Sequence, residues 1–199
     1  DICDQAAVAR IFDEYRPTAV LHLAAESHVD RSIDGPEAFV RTNVLGTYVL
    51  LSEATRYWRS LPADDRDAFR FVHVSTDEVY GQILDGTFTE DDPLHPRNPY
   101  SATKAGADLL VQSFYETYDL PVVITRSSNN YGPRQHLEKL IPKFITNAAV
   151  GEPLPVYGDG TNVREWLYVE DNCRGILTAL EVGEAGEVYN VGSDVELTN

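Results

Sequence analysis

A tyrosine and a lysine stand four residues apart at Tyr100 and Lys104. On a helix this spacing places a phenol and an ammonium on one face, with their Cβ atoms about 5–6 Å apart. A neighbouring ammonium favours the phenolate, so we expect the pKa of Tyr100 to fall towards neutral. A tyrosine of that kind can remove a proton from an alcohol while a nicotinamide accepts the hydride.

A second group of reactive side chains precedes this pair, in the run Ser75-Thr76-Asp77-Glu78. Adjacent carboxyl groups in a closed site can separate their pKa values, so that one is protonated while its neighbour is ionised. Elimination of water needs such an acid and such a base. Together with the Tyr–Lys pair, the run indicates an enzyme that oxidises a sugar, eliminates water and reduces the sugar again. The alternative interpretation is an acidic loop that caps a helix.

Helical and strand patterns alternate along the chain and define the elements that position these residues. The predicted helices are 5–16, about 36–55, 100–118, 138–150 and 169–181, and the predicted strands are 19–23, 69–74, 121–125 and 188–191. Such alternation predicts an α/β fold with a doubly wound, Rossmann-type parallel sheet. The acidic run follows the second strand, so it lies at the carboxyl edge of the sheet, where open α/β sheets bind ligands.

The glycine-rich turn that opens a dinucleotide-binding fold has no counterpart in this sequence. Since a βαβ unit takes about 30 residues, we expect one or two such units to precede Asp1. On this interpretation residues 1–127 form an N-terminally truncated dinucleotide-binding domain. Residues 128–199 then form part of a smaller substrate-binding region, interleaved with the remaining Rossmann elements.

Composition excludes several classes of protein. The net charge is −16, which argues against a nucleic-acid-binding surface because such surfaces need basic patches. The hydrophobic stretches are too short for a membrane span. Cys3 and Cys173 lack metal-ligand spacing, which indicates reduced packing residues in a cytoplasmic protein without a metal site. The acidity fits either an ordinary soluble enzyme or one adapted to high salt.

Six blocks of sequence resemble the extended short-chain dehydrogenases, and among them the nucleotide-sugar 4,6-dehydratases. These blocks are LAAESHVDRSI (23–33), TNVLGTY (42–48), STDEVYG (75–81), PYSATKAGAD (99–108), NNYGPRQHLEKLIP (129–142) and YGDGTNVREW (157–166). The Tyr–Lys pair is common to the whole superfamily, whereas the Asp-Glu pair is selective, because related epimerases usually lack it. The alternatives are an epimerase or decarboxylase of the same fold, and an inactive dinucleotide-binding module.

The resemblance implies a role for each reactive residue, with dTDP-glucose as the substrate. Tyr100 removes the proton from the 4-hydroxyl while C4 is oxidised, Lys104 holds the cofactor ribose, and Thr76 hydrogen-bonds the 4-oxygen. Glu78 removes the C5 proton, Asp77 protonates the departing C6 hydroxyl, and hydride returns to C6.

The resemblance also implies NAD as the cofactor and a homodimer as the assembled state. The residues implied to bind the cofactor are Asp1, Ile2, Leu23, Ala24, Ala25, Ser27, Thr42, Tyr100, Lys104 and Asn130. The residues implied to bind the substrate are Ser27, Thr76, Asn129, Glu138, Lys139, Pro155, Val156, Tyr157, Arg164 and Asn199. From the residues themselves, Thr42-Asn43 fits either a cofactor contact or a structural hydrogen bond, and Arg164 fits either a diphosphate ligand or an ion pair with Glu165.

Overall fold

The computed structural model describes residues 1–83, 86–156 and 159–198. Its α-helices are α1 (Gln5–Tyr15), α2 (Val29–Asp34), α3 (Pro36–Phe39), α4 (Thr47–Ser60), α5 (Ala63–Ala68), α6 (Pro99–Tyr118), α7 (Leu140–Val150) and α8 (Val169–Val182). Its strands are β1 (Ala19–His22), β2 (Arg70–Thr76), β3 (Val122–Ser127), β4 (Asn129–Tyr131), β5 (Val163–Tyr168), β6 (Val188–Val191) and β7 (Glu196–Thr198). A π-helical segment, Val40–Gly46, joins α3 to α4, and a 3-10 turn, Asp77–Tyr80, follows β2.

The chain divides into two compact units. The first unit comprises residues 1–126 and 176–190, and the second comprises residues 127–175 and 191–199. A four-stranded sheet in the order β1-β2-β3-β6 organises the first unit, and β1 pairs with β2 in parallel. This arrangement confirms the α/β fold expected from the alternating pattern.

The core of the first unit lies between this sheet and its helices. It is built from buried aliphatic and aromatic side chains, including Phe12, Leu51, Phe71, Val111 and Ile124. Strand β2 is buried along most of its length, rather than on alternate residues, because helices cover both of its faces: Phe71 packs with Leu51 and Val111, and Val72 packs with Ile176. A strand covered on both sides needs apolar residues on both of its faces.

Local sequence signals explain where α1 and α6 begin. The Asp4 carboxylate accepts a hydrogen bond from the Ala7 N–H and caps α1. Asn98 and Ser101 form a reciprocal capping box at the start of α6, where Pro99 occupies a first-turn position. These caps satisfy backbone N–H groups that have no partner within the helix, and they confirm both predicted starts to within a residue.

The second unit contains a three-stranded sheet in the order β4-β5-β7. Strand β5 runs parallel to β4 and antiparallel to β7. Gly132 has a φ of +148°, and a Cβ there would meet the Val169 side chain at 2.6 Å. Only glycine fits this close approach after β4.

Several sequence expectations need correction. Residues 36–60 are continuously helical, but the π-helical segment shifts the phase of the side chains, so Val40 is 52% exposed instead of packing beside buried Leu51. The apolar run at Ala19 forms β1, but it lies at the edge of the sheet within the described residues, and Leu21 is exposed. Leu109, on α6, is also exposed.

The boundaries of the later elements agree more closely with the sequence pattern. Helix α8 and strand β6 confirm the predicted segments, whereas α7 begins at Leu140 instead of Glu138. The sequence pattern did not reveal α2, α5, β4, β5 and β7. Within the described part of the chain, no helix is long and apolar enough to cross a membrane.

Candidate active site

The last residue of β2 connects the acidic pair. Thr76 donates a hydrogen bond from Oγ1 to Asp77 Oδ1 (3.2 Å), and the same oxygen accepts one from the Glu78 N–H (3.3 Å). Thr76 therefore caps the 3-10 turn that carries both carboxylates. All three side chains are partly buried, so strand and turn together fix three of the predicted catalytic residues.

The start of α6 brings Tyr100 to the same place. The Tyr100 N–H donates to Ser32 Oγ (3.1 Å), and the ring of Tyr100 meets Phe39 edge to face at 6.4 Å between centroids. Its phenol hydrogen-bonds with the Thr76 side chain. The helix cap Asn98 donates from Nδ2 to Glu78 Oε2 (3.3 Å). Helix α6 thus positions the Tyr100 phenol directly, and its N-cap residue Asn98 positions the Glu78 carboxylate.

The expected fall in the pKa of Tyr100 is wrong for this structure. Burial and the negative charge of Glu78 raise the pKa of Tyr100 well above its ordinary value, and Asp77 and Asp108 act in the same direction. The hydrogen bond with Thr76 opposes this rise. The phenol therefore needs a route by which it loses its proton before it can act as a base.

Lys104 lies one helical turn beyond Tyr100 and is 4% exposed. Its Nζ donates to the Val74 carbonyl (2.9 Å) and lies 3.5 Å from His73 Nε2. Burial lowers the pKa of Lys104 to about 8, against the opposing influence of the Asp108 carboxylate. The ammonium is therefore held by the backbone of β2 and is easier to deprotonate than an exposed lysine.

A buried polar network behind Lys104 was not found from the sequence. Asp108 Oδ2 accepts from Arg126 Nε (2.9 Å), and Asp108 Oδ1 lies 3.4 Å from His73 Nε2. The ring of His73 packs against that of His22 at 5.1 Å between centroids. Asp108 stands four residues after Lys104, on the same helical face, and that spacing was the available signal. His73 could not be identified from the sequence, because it is one of several buried residues in β2.

The residues expected at a cofactor site in the first unit follow β1. Leu23 is 58% exposed, and the short side chains of Ala24 and Ala25 are exposed beside it. Asn43 is buried and ties this loop to α6, because its amide donates to the Glu26 carbonyl and to Thr103 Oγ1, both at 3.0 Å. Asn43 is therefore the structural member of the Thr42-Asn43 pair.

Two of the residues implied to bind the cofactor, Asp1 and Ile2, precede α1. Asp1 accepts a hydrogen bond from the Cys3 N–H (2.9 Å) and pairs with Arg41 at 3.3 Å. Ile2 is partly buried, whereas Ser27 is exposed. The Asp1 carboxylate is 58% exposed and fixed by two partners.

In the second unit, β4 carries the two asparagines expected to contact ligands. Asn130 Nδ2 donates to the Ser128 carbonyl (2.9 Å), and the Asn130 carbonyl accepts from Gln135 Nε2 (2.8 Å). The side-chain oxygen of Asn130 is buried and has no hydrogen-bond partner among the described residues. A buried acceptor without a partner costs about 1–3 kcal/mol, so this oxygen is a candidate for a ligand contact.

Arg164, on β5, does not pair with Glu165. Neighbouring strand residues point to opposite faces of a sheet, and Glu165 Oε1 accepts hydrogen bonds from the Ser193 and Asp194 N–H groups. Arg164 is partly buried. The ion-pair interpretation of Arg164 is therefore wrong.

The remaining substrate residues lie at the ends of elements in the second unit. Glu138 and Lys139 precede α7, with Lys139 as its N-terminal flanking residue. Pro155 is partly buried and Val156 is 48% exposed. Tyr157 and Asn199, which were also expected in the pocket, lie outside the described residues.

A family model described as GDP-mannose 4,6 dehydratase matches residues 1–199. The chain is 66% identical over 180 residues to the low-salt glycan biosynthesis protein Agl12 of Haloferax volcanii, covering 90% of this chain and 55% of that protein. It is 54% identical over 201 residues to the dTDP-glucose 4,6-dehydratase of Haemophilus influenzae, covering 100% of this chain and 60% of that enzyme. The chain thus spans little more than half the length of these relatives.

The comparison with solved structures agrees with the comparison of sequences. The dTDP-glucose 4,6-dehydratase DesIV from Streptomyces venezuelae, crystallised with NAD bound, superposes with a TM-score of 0.92 at 52% identity, covering 100% of this chain and 58% of that one. The UDP-glucose 4-epimerase from Thermotoga maritima superposes with a TM-score of 0.88 at 32% identity, covering 100% of this chain and 62% of that one. The epimerase is similar in fold but more distant in sequence.

Proposed function

The chain belongs to the GDP-mannose 4,6 dehydratase family, and on that premise we propose that the protein containing it dehydrates dTDP-glucose to dTDP-4-keto-6-deoxyglucose. The observation that carries this proposal is the set of hydrogen bonds joining Tyr100, Thr76 and Asp77, with Glu78 held beside them by Asn98. A base, an acid and a second base in one place suit oxidation followed by elimination. The relatives named as dTDP-glucose 4,6-dehydratases support the choice of substrate.

The first step is oxidation at C4 of the glucose. Thr76 holds the 4-oxygen, and Tyr100 as phenolate removes the proton from the 4-hydroxyl. Lys104, held by the Val74 carbonyl and His73, keeps a positive charge on the same face of α6. NAD, when bound, supplies the hydride acceptor and donor that the cycle needs.

The second step is loss of water across C5 and C6. The new 4-ketone acidifies the proton on C5, which Glu78 removes as a carboxylate. Asp77, in its protonated form, gives its proton to the C6 hydroxyl, which leaves as water. Glu78 then returns a proton to C5 as C6 is reduced.

The residues present fit NAD. Exposed Leu23 and the short side chains of Ala24 and Ala25 give a flat cofactor access to the end of β1. An ammonium has three N–H donors, and the contacts of Lys104 with Val74 and His73 involve two of them, so a ribose hydroxyl can take the third. The buried Asn130 side-chain oxygen, without a partner among the described residues, suits an N–H donor of a ligand. Asp1, Ile2, Ser27 and Thr42 complete this proposed set.

The second unit is proposed to bind the nucleotide and its diphosphate. A guanidinium binds phosphate oxygens bidentately, and among the described residues the neighbouring acid Glu165 bonds to the Ser193 and Asp194 N–H groups. The other proposed contacts are Asn129, Glu138, Lys139, Pro155, Val156, Tyr157 and Asn199.

We also propose that the full-length protein is a homodimer of the cytoplasm. Helices α4 and α6 and the π-helical segment carry exposed apolar side chains at Leu45, Tyr48 and Leu109. These three elements pack against one another, and apolar surface exposed on neighbouring elements is typical of protein–protein interfaces. Both cysteines are free thiols, as expected in a reducing compartment. Sedimentation of the full-length protein tests the dimer, and Leu109→Glu is expected to shift it towards the monomer.

Mass spectrometry of the sugar nucleotide after incubation with the full-length protein and NAD tests the reaction. We expect dTDP-glucose to lose the mass of one water, with no net accumulation of reduced cofactor, whereas GDP-mannose and UDP-glucose react slowly. The Glu78→Gln variant is expected to oxidise C4 but to lose water at least about 10²-fold more slowly, the usual contribution of a general base.

The possible outcomes separate the alternatives. An unchanged mass with inversion at C4 would indicate an epimerase, and Asp77 and Glu78 would then have no such role. Normal dehydration by Glu78→Gln would exclude Glu78 as the base at C5. Faster turnover of another sugar nucleotide would reassign the substrate.

A further inference from the structure

The proposed reaction leaves one proton in the wrong place after each turnover. Tyr100 gains a proton from the 4-hydroxyl of the sugar, and Asp77 loses one to the departing C6 hydroxyl. Glu78 takes its proton from C5 and returns it, so it ends the cycle unchanged. If the proposed function holds, one proton must pass from Tyr100 to Asp77 before the next cycle.

The structure places a single hydroxyl between these two groups. Thr76 Oγ1 contacts Asp77 Oδ1 at 3.2 Å and the Glu78 N–H at 3.3 Å. The phenol of Tyr100 hydrogen-bonds with the same side chain. Thr76 is therefore bonded at once to the group that gains a proton and to the group that loses one.

Hydrogen-bonding capacity allows two directions for this chain of bonds. A hydroxyl has one donor hydrogen, which rotates to suit its partners, and two acceptor lone pairs, whereas an ionised carboxylate only accepts. While Tyr100 is protonated it can donate to Thr76, and Thr76 donates to Asp77, so that every hydrogen in the chain points towards Asp77. When Tyr100 is ionised, Thr76 donates to the phenolate instead, which is how this bond lowers the pKa of Tyr100.

We propose that Thr76 relays a proton from Tyr100 to Asp77 once in every catalytic cycle. The phenol O–H bond breaks as a new O–H bond forms on Thr76 Oγ1, and the original Thr76 hydrogen passes to Asp77 Oδ1. Phenol and carboxylate thereby become phenolate and carboxylic acid, with the total charge unchanged. A single shift makes both the base for C4 oxidation and the acid for C6 elimination.

The electrostatics of the site agree with such an exchange. Burial and the negative charges of Glu78 and Asp77 raise the pKa of Tyr100, so the phenol does not readily lose its proton to solvent while Asp77 is ionised. When Asp77 accepts the proton, its charge disappears and the phenolate loses one repulsive neighbour. Formation of the base is therefore coupled to formation of the acid.

Buffer dependence at constant pH distinguishes a relay from simple positioning of the 4-oxygen. The full-length protein, loaded with NAD, is mixed with dTDP-glucose, and product is measured in the first and later turnovers. Formate and imidazole concentrations are varied at fixed ionic strength, because small acids and bases can replace a missing relay. Thr76→Val removes the hydroxyl and keeps the shape of the side chain, whereas Thr76→Ser keeps the hydroxyl. Thr76→Ala is a second variant without the hydroxyl, should valine disturb the fold.

We expect the wild type and Thr76→Ser to show no burst and no buffer dependence. Because Tyr100 is protonated in the resting site, Thr76→Val is expected to slow at least about tenfold in the first and later turnovers alike, with both rates rising as buffer is added. Buffer dependence of the wild type would overturn the relay, and so would equal slowing of all turnovers in Thr76→Val without buffer dependence. If the wild type itself removes no water from dTDP-glucose, the proposed function is wrong and the relay with it.

Discussion

Acidification should destabilise this protein through two buried histidines, His22 and His73. They are 3% and 0% exposed, and their rings lie 5.1 Å apart. Burial lowers the pKa of His22 to about 2, with the neighbouring His73 and Lys104 adding to the effect. Burial also lowers the pKa of His73 to about 4, with the Lys104 ammonium acting in the same direction. Both rings are therefore neutral in the folded protein at pH values where the unfolded chain protonates them.

The size of the effect follows from the number of protons taken up on unfolding. A histidine in the unfolded chain titrates near pH 6.5. Below that pH the unfolded state binds more protons, so the free energy of unfolding falls by about 1.4 kcal/mol per pH unit for each histidine. Between pH 6.5 and 4.5 two such groups remove about 5 kcal/mol, which is comparable to the whole stability of many domains. The loss is absent above pH 6.5 and grows as the pH falls.

Urea unfolding of the full-length protein, followed by circular dichroism between pH 7.5 and 4.5 in about 2 M KCl to screen surface charge, measures this slope. His22→Gln and His73→Gln should each remove about half of the slope, because each removes one titrating group. His136→Gln is the matched control, since the side chain of His136 is 71% exposed, and it should leave the slope unchanged. A free energy of unfolding that stays constant from pH 6.5 to 5, or a slope that survives both buried substitutions, would refute the reasoning.

Three further outcomes are expected. Lys104→Met should abolish activity yet stabilise the cofactor-free protein by about 2 kcal/mol at pH 7. The pKa of Lys104 is about 8 instead of 10.5, which corresponds to a burial cost of about 3 kcal/mol, and the lost hydrogen bond to Val74 subtracts about 1 kcal/mol. In urea unfolding, the wild type should gain stability between pH 8 and 10.5, whereas Lys104→Met should not. Tyr100→Phe should slow hydride transfer about 10²–10⁴-fold in single-turnover absorbance of the reduced cofactor, and an unchanged rate removes Tyr100 from the chemistry. If the net charge of −16 reflects adaptation to salt, the free energy of unfolding should rise with KCl up to about 1 M as screening shortens to about 3 Å, and full stability at low salt would contradict that.

The sequence predicts the position of the site better than its electrostatics. The α/β pattern places Thr76, after the second predicted strand, near Tyr100, at the start of the helix predicted at 100–118, because the carboxyl end of a buried strand meets the start of the next crossover helix. The pKa of Tyr100 could not be obtained in the same way. The helical spacing identified the lysine on its own helix, but the acids that act on the phenol most strongly come from the turn after β2. Spacing along one element does not report charges contributed by another.

The sequence pattern also failed to predict which side chains of the long helical segment 36–60 face the core. A regular repeat of 3.6 residues would bury Val40 with Leu51, but the π-helical segment Val40–Gly46 inserts an extra residue per turn. Asn43 and Gly46 are buried instead, which lets Asn43 bond to the loop after β1. Nothing in the pattern of apolar residues marks this segment, because its inward positions are an amide and a glycine.

The buried polar network explains how Lys104 is held in place at a cost in stability. Lys104 and Arg126 contribute two cations, Asp108 contributes one anion, and the two histidines stay neutral. A pair such as Arg126–Asp108 is costly to bury, and breaking it by removing one partner typically costs about 3–5 kcal/mol. The Val74 carbonyl and His73 fix the ammonium on the side of β2. Lys104 is therefore oriented before any ligand binds, one helical turn after Tyr100.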